Sequence, residues 1–519
     1  MSDHMLTGHH EAEENFRTLL NNTTAAQAVS RVVEGTIGPK GLDVMLVDNL
    51  GRIAVSNDGL TILKLMEANH PVARMIISAV KSQQSEVGDG TTTTAILAAA
   101  IIAEGSSCIF KGVPVSSLVQ GIDKGIKEAI RLIDEVTVHI SSLDHKYLFD
   151  TALIAGRGHE DIAGLVVDGA SLIGMENLLN PGYKLVDAVV SCEAAADRVF
   201  NGVIIKREPI NMHILPEFIS NPVIIVINDA LGPGKIDNDA LKTDSGFKHY
   251  MQSRDLYEHN LQKIRDAGVN LVVVDRGIDD MAEEFFSRSG IAVVQRVSAR
   301  EIDDLCRHTG AQKLKRSTLD ENLDQVKQYT GCAEQIRFDK KHRQILVHGG
   351  RSESFATILV GASTREAVEE RERIAQDAAA AVQAAVQDGI VAGGGTLEVW
   401  LAERLQELAD AEDGLSSYGI SSVSEALKRP FLCMTANAGL NPLKKLGEVL
   451  SSQKETGSSS ISLDYSSEKL VDAFEKGIVD PAGVKINALK TAGEVAASVL
   501  RINMIIKMQA DKPDNTFIN

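Results

Sequence analysis

Helical spacing dominates both ends of the chain, and short apolar runs dominate its middle. From Glu11 to the stop at Gly35 the apolar residues recur at helical intervals. Residues 44–56 read instead as a hairpin: a strand Val44–Val47, a turn Asp48-Asn49-Leu50-Gly51, and a return over Arg52–Ser56. Helices are predicted from Gly59 to Ala68, Pro71 to Glu86, Thr92 to Glu104 and Pro114 to Glu135. The middle changes character. KLVDAVVS and GVIIKRE within 184–206, PVIIVI at 222–227 and NLVVVD at 270–275 read as buried strands, separated by helical patterns over 246–267 and 279–289. The helical pattern returns from Arg365 to Asp388, stopped by Gly389, and from Thr396 to Glu407. SSQKETGSSS at 451–460 is expected to be a loop. VDPAGVK at 479–485 is expected to open a last helix ending near Lys507, with Asp480 as N-cap and Pro481 at the first helical position. The simplest architecture is a mainly α domain built from both ends, with an α/β middle inserted into it.

Composition narrows the class. The chain has 519 residues, enough for three or four domains, with 44% hydrophobic and 24% charged residues. There are 71 acidic against 53 basic residues, a net charge of −18. That argues against a general nucleic-acid binder or an anionic-membrane docker. No apolar run is read as reaching the roughly 18 residues of a membrane span; Ala95–Ala103 is core-sized. MSDHMLTGHHEAEENF has neither the basic nor the apolar region of a secretory signal, and His9-His10 reads as a disordered tail rather than a metal site. Five scattered cysteines without a CxxC pair suggest a reduced, cytoplasmic protein.

Several glycine-rich turns could carry chemistry. Gly88-Asp89-Gly90-Thr91-Thr92-Thr93-Thr94 lets the backbone turn tightly and then opens a helix, whose free N–H groups form an anion site. Asp89 could hold magnesium on a phosphate; an ordinary loop and N-cap is the alternative. Gly35-Thr36-Ile37-Gly38-Pro39-Lys40-Gly41 could wrap a nucleotide or simply end a helix. Asp58 follows a strand and precedes a helix, which makes it a good N-cap, or a carboxylate beside a phosphate. Asp377 lies at the edge of a stripe of Ile374, Ala378, Ala381, Val382 and Ala385, where a carboxylate is costly unless paired or functional. A water-polarising base fits that position. Gly393-Gly394-Gly395 permits close backbone approach or a turn.

Taken together, TIGPKG (36–41), MLVDNLGRIAVSNDG (45–59), EVGDGTTTTAILA (86–98), GIVAGGG (389–395) and VDPAGVK (479–485) resemble the chaperonin (Hsp60) family in order and spacing. The resemblance implies a three-domain subunit: equatorial 1–136 with 393–519, intermediate 137–203 with 353–392, and an apical α/β domain over 204–352. It implies ATP and Mg2+ as cofactors, and a homo-oligomer in two stacked rings that encloses unfolded client proteins. Thr36, Ile37, Gly38 and Pro39 would line the nucleotide, Asp89 would hold the metal, and Gly90, Thr91, Thr92 and Thr93 would bind phosphate. Gly394 and Asp480 would flank base and ribose, with Asp58 and Asp377 as the catalytic carboxylates. HPVARMIISAVKSQQSEVGDGTT is closer to the thermosome-like branch, which implies a built-in lid over 229–260 and no separate co-chaperonin. Residues 229–245 also look exposed and turn-rich. Arg157, in AGRGHE, stands where that branch has a phosphate-sensing lysine; this departure and the Gly/Pro-rich stretch suit the bacterial group III subset, and the choice between group II and group III stays open. The helix with Met281, Phe285 and Phe286 could offer clients an apolar surface or pack in the core. Two other readings remain: a non-catalytic holdase on the same fold, and a phosphotransferase acting on a small molecule.

Overall fold

The computed structural model describes residues 3–48, 50–233 and 243–506. The chain forms two compact units. One takes residues 1–159 and 380–519, the other the continuous stretch 160–379. The nested arrangement expected from the two helical ends is therefore present.

The first unit is built around the helix Thr91–Phe110, which packs against Asp3–Val33, Pro71–Glu86, Ser417–Asn437 and Ala482–Leu500. Its residues from Ala95 to Ile102 are almost wholly buried on every side except Ala100, the mark of a core helix. This helix runs 20 residues, longer than the sequence pattern indicated. Among the described residues it is long and apolar enough to cross a membrane by length and composition, though 56% of that span is buried inside the protein. Small residues bring helices into backbone contact. A Cβ on Gly121 would lie 1.9 Å from the Ser416 carbonyl oxygen, and one on Gly419 would lie 2.2 Å from that of Leu118. Only glycine permits this crossing of Val115–Val136 over Ser417–Asn437.

The second unit centres on a ten-stranded mixed sheet. Its main path runs Val189–Glu193, Ala356–Ala362, Arg198–Ile205, Gln344–Gly350, Gly331–Asp339, Val223–Ile227, Leu271–Val274 and Ala292–Gln295. The last three strands are parallel, with Ile224 opposite Leu271 and Leu271 opposite Ala292. Both faces are covered: Ile224, Val226, Leu271 and Val273 enter one core cluster, and Ile225, Ile227, Val272 and Val274 the other. Burial on two sides explains why these strands read as unbroken apolar runs. On the helix Asp280–Ser289, Phe286 is fully buried while Met281 and Phe285 pack against the same cluster.

Local pattern failed at five places. The segment Lys184–Ala188 contains a 3-10 turn over Leu185–Ala188, and the strand begins only at Val189. SSQKET is the end of the helix Pro442–Thr456, so the loop starts at Gly457, whose left-handed backbone stops the helix. There Gln453 is buried and donates to the Thr396 carbonyl (2.9 Å), an interaction the local sequence does not announce. Val479–Pro481 is a strand paired with Ile390–Ala392, so Asp480 is not an N-cap and the helix starts at Ala482. That last helix ends at Leu500, not near Lys507, and Lys507 lies outside the described residues. The first helix begins at Asp3, so His9 and His10 are helical in backbone; their side chains lie outside the description. Of the predicted 229–260 protrusion, residues 244–260 belong to the helix Asp244–Asp266, and residues 234–242 lie outside the described residues.

Candidate functional site

The site grows from the amino end of the buried Thr91–Phe110 helix. Gly90 holds φ 79° and offers no capping side chain. The N–H groups of the first helical turn, at Thr91, Thr92 and Thr93, therefore have no intrahelical acceptor and point outward with the positive end of the helix dipole. Just before them, Asp89 accepts from the Gly90 N–H at 2.6 Å. Desolvation pushes its carboxyl above the usual range; the Gly90 hydrogen bond opposes this, Asp480 and Asp58 add repulsion, and Lys485 offsets part of it. The loop is braced from behind. Gln83, fully buried, donates to the Asp89 carbonyl (2.8 Å) and to that of Val484 (3.3 Å), and accepts from Asn487 (2.8 Å).

Asp58 caps the helix Gly59–Leu65, accepting from the Leu60 N–H (3.3 Å), the Thr61 N–H (2.8 Å) and the Thr61 hydroxyl (2.6 Å). A Cβ on Gly59 would lie 2.4 Å from Thr92 Oγ1, so this cap stands directly against the threonine turn.

A third wall comes from two more glycine turns. Thr36 donates to the Val33 carbonyl (2.9 Å), and the Asn437 amide pins the Glu34 and Ile37 carbonyls at 2.9 and 3.0 Å. Gly38 and Pro39 are exposed, whereas Ile37 is buried beside Phe431, Met434 and Tyr465. Met434 joins this turn to the other, since it would touch a Cβ on Gly38 at 2.6 Å and on Gly395 at 2.4 Å. Ser462 and Tyr465 donate to the Gly393 and Gly394 carbonyls, each at 3.1 Å. Gly393 in turn faces the Asp480 carboxylate, 3.2 Å from where its Cβ would stand.

The first unit thus gathers Thr36–Pro39, Asp58, Asp89–Thr93, Gly394 and Asp480. Arg157 follows the helix Lys146–Ala155 and its Gly156 cap, in a left-handed conformation (φ 55°), and that helix packs on the Val479–Pro481 strand. Asp377 belongs to the second unit. It is half-buried, and the predicted stripe of Ile374, Ala378, Ala381, Val382 and Ala385 is indeed buried.

Four residues escaped the sequence reading: Gln83, Glu398, Lys485 and Asn487. Lys485 stood inside VDPAGVK, and Glu398 three residues past the glycine turn, where an acid favours a helix start. Neither announces the other from 87 residues away.

Among the described residues there is no group of three or more metal-ligating side chains. Magnesium does not need one, because it commonly binds one or two carboxylates with phosphate and water completing its shell. A desolvated Asp89 repelled by two other carboxylates fits such a cation.

An open glycine cradle, an uncapped helix start and clustered carboxylates stand together on a mainly α scaffold with an α/β insertion. Residues 29–510 match the TCP-1/cpn60 chaperonin family, and the chain belongs to that family. It is similar to the thermosome subunit of Pyrococcus horikoshii, 31% identical over 516 residues, covering 95% of this chain and 92% of that one. It is equally similar to the thermosome subunit alpha of Thermoplasma acidophilum, 31% identical over 520 residues, covering 97% and 94%. A crystal structure of a group III chaperonin in the open state superposes with a TM-score of 0.89 at 38% identity, covering 95% of this chain and 100% of that one. The fold is the three-domain chaperonin architecture, and the homologues make this a chaperone.

Proposed function

We propose that this chain is the subunit of an ATP-driven folding cage: two stacked homo-oligomeric rings that enclose unfolded polypeptide under a built-in lid, in the cytoplasm and without a separate co-chaperonin. The observation that carries the reading is the uncapped Thr91 helix start beside the desolvated Asp89, with Asp58 and Asp480 close enough to repel it.

Phosphates settle on the N–H groups and hydroxyls of Thr91, Thr92 and Thr93, with Gly90 allowing close approach. Asp89 holds the cation, and when bound that ion neutralises charge on the transferred phosphoryl group. Thr36, Ile37, Gly38 and Pro39 line one side of the nucleotide. Gly394 and Asp480 flank base and ribose. Asp58 and Asp377 orient and deprotonate the attacking water; Thr61 already fixes the Asp58 carboxylate. Catalysis is then positioning and electrostatics, with no covalent intermediate. Arg157 meets the terminal phosphate with a planar fork where the thermosome branch has a point charge.

The equatorial domain of this reading is 1–136 with 393–519, the intermediate 137–203 with 353–392, and the apical 204–352 with its lid at 229–260. Steady-state hydrolysis of Mg-ATP tests it. The wild type turns over, and Asp377→Ala falls by roughly a hundredfold or more, the usual loss of a general base. Unchanged hydrolysis in Asp377→Ala contradicts the assignment. Deleting 229–260 is expected to abolish client protection while hydrolysis persists; surviving protection would put the lid elsewhere.

A further inference from the structure

Lys485 breaks two local rules at once. Its ammonium is buried, with 11% of the side chain exposed, and it sits in the first turn of the helix Ala482–Leu500, where the dipole repels a cation. Its partners explain how it stays. Nζ bonds Glu398 Oε1 at 2.7 Å and Asp480 Oδ2 at 2.8 Å. Glu398 is 2% exposed and sits in the first turn of the helix Thr396–Ala411, whose dipole favours an acid.

One carboxylate suffices to neutralise a buried lysine. The second, Asp480, is the more exposed, at 23% against 3% for the Glu398 side chain. It is also the carboxylate that faces Gly393, at the edge of the glycine cradle. Left alone, it would be drawn toward solvent or mobile. With Oδ2 taken by Lys485, Oδ1 is the oxygen a ligand hydroxyl would meet, in one orientation.

We infer that the buried pair Glu398–Lys485 is a positioning device that clamps Asp480 as the acceptor for a ribose hydroxyl, so that this pair sets the preference for ribonucleotides over deoxynucleotides. The inference rests on the nucleotide reading above. It adds that the sugar contact is made only when a buried lysine holds the carboxylate still. Asp480 is the residue that would touch the sugar; Lys485 and Glu398 act through it. A site that hydrogen-bonds a hydroxyl rejects an analogue lacking it more strongly than a merely shape-fitted one does.

The test compares Mg-ATP with its 2′-deoxy and 3′-deoxy forms, by calorimetric binding and by steady-state hydrolysis, on the full-length protein. The wild type is expected to bind ATP roughly tenfold more tightly than at least one deoxy analogue, the size of a charge-assisted hydrogen bond. The paired change Lys485→Met with Glu398→Gln removes both buried charges, so that neither is left uncompensated. It is expected to erase most of that preference and to raise KM for ATP more than it lowers kcat. Asp480→Asn should erase the same preference alone, and adding the paired change to it should do nothing further. A merely structural role would lower the melting temperature and leave the ratio of ATP to deoxy-ATP intact. An unchanged ratio in the paired variant, or additive losses on the Asp480→Asn background, would overturn the inference. A wild type that binds none of the three nucleotides would instead overturn the nucleotide reading on which the inference stands.

Discussion

The two units solve the burial problem differently, and the difference shows where chemistry can be placed. In the unit of residues 160–379, the central strands Val223–Ile227 and Leu271–Val274 present apolar side chains to both faces, and little of that sheet is left for polar work. In the unit of 1–159 and 380–519, the core is a bundle whose helix ends converge. Helix ends carry unpaired N–H groups, and glycine turns hold them open. Asp58, Asp89 and Asp480 all stand at such ends or on the short strand beside them. Rigid packing thus surrounds a few polar groups, the condition for electrostatic preorganisation.

The largest expected effect separates the glycine-lined site from the sheet. Asp89→Ala is expected to cut Mg-ATP turnover by roughly two orders of magnitude or more. Asp339→Ala, which removes a half-buried carboxylate bonded to His342 in the sheet unit, should leave turnover within about twofold, by the same steady-state assay. Equal losses would erase the distinction.

Next come the two cores. Phe286→Ala should cost about 3–5 kcal/mol and Leu97→Ala about 2–5 kcal/mol, both from fully buried sites. Native-state hydrogen exchange should place the first loss in residues 160–379 and the second in the helical unit. Loosening that spreads through both units in either variant would show that they do not open separately.

A smaller effect is pH-dependent and confined to the sheet unit. His308 is fully buried; its Nε2 accepts from the Gly350 N–H at 2.8 Å, and Nδ1 meets the Glu353 carbonyl at 3.2 Å. Desolvation lowers its pKa below the ordinary 6.5, partly opposed by the Glu353 bond. The folded state therefore binds the proton less well than the unfolded one. The neutral ring's stabilising contribution is complete above pH 6.5 and is lost as pH falls below it, by at most about 1.4 kcal/mol per unit. His348 is lowered too, first by burial, and adds the same sign. Urea unfolding between pH 7 and 5 should show this slope, and His308→Gln should flatten it.

The smallest effect contrasts two glycines of the helical unit. Gly88→Ala meets Ala380 Cβ at 2.5 Å from a backbone at φ 80°, and should destabilise by about 1–3 kcal/mol. Gly35→Ala meets nothing within 4 Å and should be neutral or stabilise by about 0.5 kcal/mol. Thermal melts of both variants decide.

Much of this was legible in the chain because it is local. Pro71–Glu86 and Arg365–Asp388 have the predicted bounds, since a proline opens the first and a glycine closes the second. The cap at Asp58 is written in Asn57-Asp58-Gly59. What the local pattern hides depends on distant pairing. Asp480 looks like an N-cap until Val391 pairs with it. Lys485 looks like a surface lysine until Glu398 is folded against it. Gln453 looks like a loop residue until it reaches the Thr396 carbonyl. Most of the proposed site residues could be named because five short motifs stand in family order, with Arg157 and Asp377 outside them; the residues that hold those motifs still could not, because no motif contains both ends of a long-range contact.

The most direct measurement is electron microscopy of the purified protein with and without Mg-ATP. The account predicts double rings that close when nucleotide is present and no partner has been added. Monomers or small oligomers in both conditions would contradict it.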